Sequence, residues 1–305
     1  MTNQNSDNIT VNTTPGSVPV GFKKQGWLSR NIGQIFLHIA LIILAFLVLY
    51  PIFLMLINSF KSKDYFAAEP FKIPFRANEI AFSNYELAWL QVADYIINSV
   101  VTTVGVTVIL VAIATLTAYA FTRFEFPGKD ILFLLMLSLM MIPGMLTLIS
   151  QYSMVLDMGL ENNYWGVILP SVSGSIPFAV FLFRTFFSSV PKELFEAAEI
   201  DGASQPRMLV SIMLPMSKAI VATLIIQTVF NTWNDYLWPL LIYRADIMKT
   251  IPIGLVSYTD TVYNALRSYG PAFAAYVIGS IPLVIVFSVA SKQFIAGLTS
   301  GAFKM

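Results

Sequence analysis

The sequence predicts an all-α integral membrane protein with six transmembrane helices. Six apolar runs are long enough to cross the hydrocarbon core, which takes about 20 residues of helix. Charged residues make up only 11% of the chain, whereas soluble domains carry about 25%. The runs also lack the strict alternation of apolar and polar residues that a membrane β-barrel requires. The shortage of charge therefore indicates that lipid surrounds much of the protein.

The six predicted spans are separated by loops that contain charged residues. Asp235 is the one carboxylate inside a span, the fifth. The second, fourth and sixth spans each end at a basic residue, namely Arg123, Arg184 and Lys292. In chain order the spans are Ile35 to Ile57, Asn98 to Phe121, Ile131 to Tyr152, Tyr164 to Phe183, Ala219 to Tyr243 and Ala272 to Ser291.

The polar segments divide the chain into a long membrane domain and two short ends. Residues 1–34 are predicted to be a cytoplasmic tail followed by an interfacial segment, since the first 22 residues are polar. Residues 35–295 form the six-helix domain, with a cytoplasmic loop at 188–217, and residues 296–305 form a second cytoplasmic tail. The segment from Asn58 to Ile97 is expected to pack on the outer membrane surface.

The distribution of basic residues predicts that both termini are cytoplasmic. With the N-terminus inside, the inner segments carry 11 of the 18 Lys and Arg residues and the outer segments carry 7. Short loops count most in this comparison. The loop from Arg123 to Asp130 has a basic residue at either end of its Phe-Pro-Gly turn and falls inside, whereas the loop from Asp157 to Asn163 has neither Lys nor Arg and falls outside.

Composition argues against several kinds of chemistry. The chain has no cysteine, so disulfides, thiolate metal sites and cysteine nucleophiles are excluded. Its net charge of +1 gives no indication of a nucleic-acid partner. The single histidine, His38, is expected to pack or to form a hydrogen bond within the first span. The Gly128-Lys129 pair lacks the glycine and the hydroxyl residue of a phosphate-binding loop, so the chain is not expected to hydrolyse ATP.

The loop between the fourth and fifth spans predicts two short helices separated by a glycine. Pro191 suits a first helical turn, and Gly202 is expected to end that helix with a positive φ. Ser204 can cap a second helix that has Pro206 in its first turn and ends near Pro215. Four residues of the first helix share one face at i, i+3, i+4 and i+7 spacing, namely Leu194, Ala197, Ala198 and Asp201.

Two interpretations of this loop are open from its pattern alone: a connection whose amphipathic helix lies on lipid, or an element that transmits force from a soluble partner. The run E-A-A-x-x-D-G-A followed by I-M-L-P resembles the cytoplasmic signature of inner-membrane permeases of binding-protein-dependent ABC importers. The residues that carry this resemblance are Glu196, Ala197, Ala198, Asp201, Gly202 and Ala203, with Ile212, Leu214 and Pro215.

Further stretches resemble the carbohydrate branch of that family, and within it the subunit like the maltose permease G protein. They are Ala118 to Lys129, Met141 to Gly144, Gly159 to Gly166 and Phe230 to Leu241. The resemblance implies the type I ABC importer permease fold and a role in sugar import. It also implies three kinds of protein partner: a second permease subunit, a dimer of ATP-binding subunits and an extracytoplasmic sugar-binding protein. ATP and Mg²⁺ would bind to the ATPase, with no cofactor in this chain.

Polar residues in the fifth span predict a substrate path. Asn231 and Asn234 are three residues apart, with Gln227 one turn earlier, and Asp235 follows directly. Amides donate and accept hydrogen bonds, which suits sugar hydroxyls, and Trp233 and Trp238 could stack on sugar rings. Gln151, in the third span, is a weaker candidate. The alternative is that these groups join neighbouring helices, or that Asp235 lies at the outer interface.

Two other classes of membrane protein remain as alternatives: a channel and a small multi-pass enzyme. An enzyme is expected to place paired acids, histidines or a nucleophile within its spans, whereas only Asp235 is present. A channel is expected to form homo-oligomers and to need no ATPase. The sequence does not distinguish an oligosaccharide from another sugar or a glycerol phosphate ester as substrate.

Overall fold

The computed structural model describes the backbone of residues 27–302 and the side chains of residues 34–289. Helices dominate this part of the chain, and its one β-bridge joins Lys61 to Ile80. The α-helices are α1 Trp27–Ser59, α2 Lys63–Ala68, α3 Ser83–Arg123, α4 Lys129–Ser138, α5 Gly144–Asp157, α6 Tyr164–Phe187, α7 Glu193–Ile200, α8 Gln205–Met208, α9 Leu214–Met216, α10 Lys218–Trp233, α11 Leu237–Ile242, α12 Ile251–Leu266 and α13 Gly270–Ala302.

The number of helices that can span a membrane agrees with the predicted fold class. Within the described residues, four helices are long and apolar enough to cross, and the number reaches six if each of two bent helix pairs is counted as one span. The chain divides into two compact units, residues 1–52 and residues 53–305. The first contains most of α1, in which Nδ1 of His38 lies 2.6 Å from the carbonyl oxygen of Gln34. The expected hydrogen bond of His38 is thus confirmed.

The third predicted span is not one straight helix. A 3-10 turn, Leu139–Met141, follows α4, and the chain then bends by 97° into α5. Ile142 adopts an extended conformation, with ψ of 117°, because the ring of Pro143 disfavours helical geometry in the preceding residue. The prediction of continuous helix from Ile131 to Tyr152 was therefore wrong at this proline.

The fifth predicted span is also interrupted, in the middle of its polar cluster. Helix α10 ends at Trp233, and α11 begins only at Leu237. In a continuous helix, the ring of Pro239 would clash with the carbonyl of Asp235, four residues earlier. The helix therefore breaks at Asn234, and the predicted single helix from Ala219 to Tyr243 is corrected to two.

The segment before the second span is more helical than expected. Helix α3 already begins at Ser83, so only residues 60–82 form the connection. Lys61 is fully buried there, and its Nζ donates to the carbonyl oxygens of Glu69 and Pro70 at 2.9 and 2.8 Å. Burial lowers the pKa of this lysine, while the nearby carboxylate of Glu69 opposes the shift.

A helix that the sequence did not predict lies between the fifth and sixth spans. Helix α12 packs Ile251, Leu255 and Tyr258 against α3 and α13 in a buried cluster. The approach is close, because a side chain at Gly254 would come within 2.2 Å of the ring of Tyr95. This part of the chain is thus a packed helix.

The two ends of the helix bundle are held by different contacts. At one end, called the Arg123 end, α3 and α6 finish and the loop with α7 begins. At the opposite end, Asn98 donates to the carbonyl oxygens of Ile247 and Lys249, at 2.7 and 3.0 Å. There, Oδ1 of Asn162 also accepts hydrogen bonds from two successive backbone N–H groups after α11.

The predicted tails fall largely outside the described residues. Residues 1–26 and 303–305 are not described, and from Trp27 onward the backbone is already helical. Helix α13 continues to Ala302, past the predicted start of the second tail at residue 296. The domain limits at 34 and 296 remain predictions.

Candidate functional site

Two adjoining cavities lie beside the break between α10 and α11. The larger has a volume of about 620 Å³ and is bordered by α5, α6 and the residues after α10. Gln151 and Asp235 both line it, although 84 positions separate them in the chain. The structure thus brings together two of the residues predicted for a substrate path.

The second cavity, of about 470 Å³, contains the two asparagines of the predicted cluster. Asn231, Asn234 and Asp235 line it together with residues of α6. Asp235 borders both cavities. Gln227 is half-buried on α10 and, unlike the other four predicted residues, lines neither cavity.

Small and hydroxyl side chains of α6 form part of the cavity walls. Ser171 and Ser175 border both cavities, and Ser173 and Gly174 border the larger one. Sequence reasoning missed this wall. The signal that could have found it is the run S-V-S-G-S within an otherwise apolar span, because polar residues in a span usually face a partner or a cavity.

The break in the chain determines how the polar groups are presented. Asn234 occupies the C-terminal cap of α10, and its Nδ2 donates to the carbonyl oxygen of Phe230 at 2.8 Å. Oδ1 of Asp235 accepts a long hydrogen bond of 3.5 Å from the N–H of Trp238. Asn231 is exposed on the last turn of α10. Of the two amides, Asn231 therefore has more hydrogen-bonding capacity available for a ligand.

The two tryptophans of the cluster are largely buried. Trp233 is 5% exposed and Trp238 is 8% exposed. Nε1 of Trp238 donates to the carbonyl oxygen of Gly166 at 3.2 Å, which joins α11 to the start of α6. Trp238 also borders the larger cavity, whereas Trp233 borders neither, so ring stacking on a sugar stays a prediction for Trp238 and finds no support for Trp233.

The second candidate site is the loop that contains α7 and α8. Gly202 has a φ of 75°, which confirms the predicted positive φ. Its N–H donates to the carbonyl oxygen of Glu199, and that of Ala203 donates to Ala198, at 3.0 and 2.9 Å. Ser204 stands at the N-terminal cap of α8, but its side chain makes no capping hydrogen bond. The predicted helix, glycine and helix are all present, without that cap.

An unusual stretch of helix connects this loop to α10. A π-helical segment, Leu209–Met213, joins α8 to α9, and the chain then turns by 81° into α10. Pro215 explains the distortion, since it lacks an N–H and its ring would clash with the carbonyl of Ser211 in a regular helix. Met208 and Met213 are buried, so the segment is packed against the rest of the protein.

The face that α7 turns inward was not predicted. Phe195 is 1% exposed, and the guanidinium of Arg123 lies 4.1 Å from its ring centre. Gln205 joins the two short helices to α3, because its Oε1 accepts from the hydroxyl of Tyr119 and its Nε2 donates to Glu199. These contacts fix α7 on the end of α3.

The outward face of α7 is open. Glu196 and Ala197 are exposed, Ala198 is half-buried, and Ile200 is 88% exposed. A hollow of about 220 Å³ lies between α7 and α8, bordered by residues that include Ala198, Asp201 and Ala203. The exposed surface of α7 thus combines an isoleucine with small residues and carboxylates.

Comparisons with known proteins agree with this arrangement. Residues 110–299 match the family described as "Binding-protein-dependent transport system inner membrane component". The chain is 33% identical to the "Probable ABC transporter permease protein YurM" of Bacillus subtilis, over 92% of this chain and 91% of that protein. It is 30% identical to the "Diacetylchitobiose uptake system permease protein NgcG" of Streptomyces coelicolor, over 88% of each.

A solved structure has the same fold. The crystal structure of a bacterial ABC transporter involved in the import of the acidic polysaccharide alginate contains a chain that superposes with a TM-score of 0.75. The match covers 92% of this chain and 100% of that one, at 23% sequence identity.

Proposed function

The chain belongs to the family of inner-membrane components of binding-protein-dependent transport systems, and from this premise we propose that it is a permease subunit of an ATP-driven sugar importer. In this role it passes a sugar or oligosaccharide, delivered by an extracytoplasmic binding protein, through the membrane without chemical change. Family membership favours this role over a channel or a membrane enzyme.

The polar cavities beside Asn231 are the observation that carries the substrate assignment. Their walls combine amide, hydroxyl and carboxylate groups from α5, α6 and the α10–α11 break. Such groups both donate to and accept from sugar hydroxyls. The name of the relative from Streptomyces coelicolor, a diacetylchitobiose uptake permease, supports the same class of substrate. The predicted path residues Asn231, Asn234, Asp235 and Gln151 are retained in this proposal, whereas Gln227, which lines neither cavity, is not.

The partners proposed for this subunit follow from its exposed surfaces and from its family. A second permease subunit completes the path, because both polar cavities are open in the single chain. Two ATP-binding subunits hold ATP and Mg²⁺. One of them docks on α7 through Glu196, Ala197 and the turn from Asp201 to Ala203. Hydrolysis thus takes place on the partner, and this chain is not itself an enzyme.

The mechanism couples α7 to the cavities through one continuous piece of chain. Closure of the ATP-binding dimer moves α7, and α8, the π-helical segment and α9 pass this displacement to α10. Helix α10 ends at Trp233, directly before Asn234 and Asp235. Movement of α10 therefore changes the geometry of the cavity wall, which allows the substrate site to open on alternate sides of the membrane.

The proposed orientation places both termini and the Arg123 end in the cytoplasm. The absence of native cysteine makes this testable by labelling. A cysteine introduced at Asn162 should react with an impermeant thiol reagent added outside intact cells, and one at Gln205 should react only after the cells are opened. The reverse pattern would require the opposite orientation.

The coupling role is tested by reconstituting the complete transporter with its binding protein. The wild-type complex should accumulate sugar and increase ATP hydrolysis when the loaded binding protein is added. Glu196→Lys should abolish both responses, since a removed charge pair at a buried interface costs about 2–5 kcal/mol and reversal adds repulsion. Glu196→Gln should give an intermediate loss. Normal coupling in the Glu196→Lys complex would show that α7 is only a connector.

A further inference from the structure

A separate cavity at the Arg123 end is lined by four basic side chains. Its volume is about 230 Å³, and Arg123, Lys129, Arg184 and Lys192 border it with only one carboxylate, Glu125. Aromatic residues from α3, α6 and α7 complete the walls. This cavity shares no residue with the two cavities beside Asn231.

Anionic side chains neutralise these cations only in part. Arg184 lies 3.4 Å from Asp130, and Lys129 lies 2.9 Å from Glu125, but the two carboxylate side chains are 91% and 88% exposed. Ion pairs with such exposed partners are strongly screened by water. Arg123 is 3.9 Å from Glu199, which is at the outer limit for an ion pair. Within the described residues, Lys192 forms no ion pair.

Three of the four cations are nevertheless largely shielded from water. The side chains of Arg123 and Lys129 are each 13% exposed, and that of Arg184 is 24% exposed. Concentrating positive charge in a poorly hydrated cavity is costly unless an anion joins it. The structure therefore favours an additional negative group in the cavity.

Stabilisation of helix ends does not explain the cluster. Arg123 and Arg184 lie in the last turns of α3 and α6, where the helix dipole favours a cation. Lys129 begins α4 and Lys192 directly precedes α7, so both lie at the positive ends of helices. A lysine is unfavourable there, and its presence increases the positive potential of the cavity.

The two arginines are held in fixed planes that leave donors for a ligand. The guanidinium of Arg184 lies 3.8 Å from the ring centre of Phe133, and that of Arg123 lies 4.1 Å from the ring centre of Phe195. Nε of Arg123 is buried without a hydrogen-bond partner. Stacked guanidinium groups with spare N–H donors are well suited to phosphate oxygens.

The surroundings of the cavity indicate which phosphate it binds. Arg123 and Arg184 end two apolar spans, which places the cavity where hydrocarbon gives way to headgroups. Helix α4, which begins at the cavity with Lys129, presents a strongly exposed apolar surface made of Ile131, Leu132, Leu134 and Leu135. We propose that the cavity binds the phosphate group of an anionic phospholipid whose acyl chains lie along α4. Basic pockets between helices are a common mode of lipid recognition.

The position of this lipid gives it a role in coupling. Phe195 belongs to α7, the helix proposed to meet the ATPase, and Lys192 directly precedes it. Both residues line the cavity. A headgroup that joins Lys192 to Arg184 links α7 to the end of α6. Anionic lipid therefore stiffens the contact through which α7 is moved.

The experiment measures lipid retained by the full-length protein, together with the subunits that purify with it. The protein is placed in nanodiscs of phosphatidylcholine in which about one lipid in five is phosphatidylglycerol. It is then extracted in mild detergent, and the bound phosphatidylglycerol is counted by native mass spectrometry. A parallel titration adds inorganic phosphate during extraction.

Lys192→Gln is the main variant, since this exposed residue forms no described ion pair whose loss could unfold the protein. Its affinity for phosphatidylglycerol should fall about fivefold, the factor that corresponds to about 1 kcal/mol for one removed cation. Arg184→Gln should show at least the same loss, and Lys192→Arg should retain the lipid. Lys218→Gln is the matched control, because it removes the same charge from an exposed lysine outside the cavity.

Each outcome decides the proposal. Selective loss in Lys192→Gln and Arg184→Gln, with no displacement by millimolar inorganic phosphate, supports a phospholipid site. Equal retention by these variants and Lys218→Gln would overturn it, and displacement by inorganic phosphate alone would replace the lipid with a soluble phosphate ligand. Unchanged lipid retention with loss of the ATPase would identify the cavity as a protein interface instead. Because lipid is counted without transport, failure here is distinct from failure of the proposed importer function.

Discussion

The α7–α8 loop and the polar cavities beside Asn231 differ in how far local sequence determines their geometry. In the loop, a glycine with φ of 75° separates two short helices, in the order that the residues indicate. At the cavities, the predicted continuous helix is broken, one predicted residue lines neither cavity, and a large part of the wall comes from α6. Local conformational rules are thus sufficient for a turn, whereas a binding surface depends on which distant elements pack together.

The strongest test of this contrast is substitution of Gly202. Gly202→Val should abolish transport that responds to the binding protein, because a β-branched residue is strained at positive φ by about 1–3 kcal/mol. No atom lies within 4 Å of a side-chain carbon added at this position, so strain rather than a clash is responsible. Uptake and stimulated ATP hydrolysis in the reconstituted complex are the measurements.

Gly202→Asn provides the matched control for backbone conformation. Asparagine tolerates the left-handed region far better than valine, so this variant should keep most of the coupled activity. If the asparagine and valine variants lost activity equally, the space around Gly202 in the complex, rather than its φ, would be the requirement. The loop would then depend on tertiary contacts as strongly as the cavities do.

A smaller effect is expected at the cavities, where two residues of α10 can be compared directly. Asn231→Leu should reduce sugar uptake severalfold, since it removes a donor and an acceptor together worth about 1–3 kcal/mol when buried against substrate. Gln227→Leu, one turn earlier, should have little effect because Gln227 lines neither cavity. The concentration dependence of uptake measures both, with basal ATP hydrolysis as the check on assembly.

A stronger effect of Gln227→Leu than of Asn231→Leu would reverse this interpretation. It would mean that helical spacing along α10, which predicts both residues, identifies the residues of the substrate path better than the lining of the cavities does. The α10–α11 break would then have no bearing on substrate.

The smallest effect is expected at Trp238. Trp238→Phe keeps an aromatic ring in the packing between α11 and α6 but removes the hydrogen bond to Gly166. The thermal stability of the purified protein should fall by an amount equivalent to about 1–3 kcal/mol, because a buried carbonyl loses its donor. The substrate concentration for half-maximal uptake should not change. A marked shift in that concentration would support ring stacking as a role for this residue.

Several features of the fold were predictable from local sequence for clear physical reasons. The apolar runs predict the spans, because lipid requires about 20 residues of satisfied backbone. Gly202 predicts its own conformation, because glycine pays no steric penalty at positive φ. Pro143 and Pro239 carried the same kind of local information about helix breaks, and the apolar character of the surrounding residues concealed it.

What the sequence by itself determined is the class of protein, the six apolar segments and the helix–glycine–helix loop, since each depends on residues close together in the chain. Only the tertiary structure decided that Gln151, Ser171 and Asp235 share a cavity, that Trp238 donates a hydrogen bond to Gly166, and that Arg123, Arg184 and Lys192 border another cavity. These sites unite residues from helices far apart in the chain. Their positions depend on how the helices pack and where they break, and the local periodicity of the sequence does not predict helix packing.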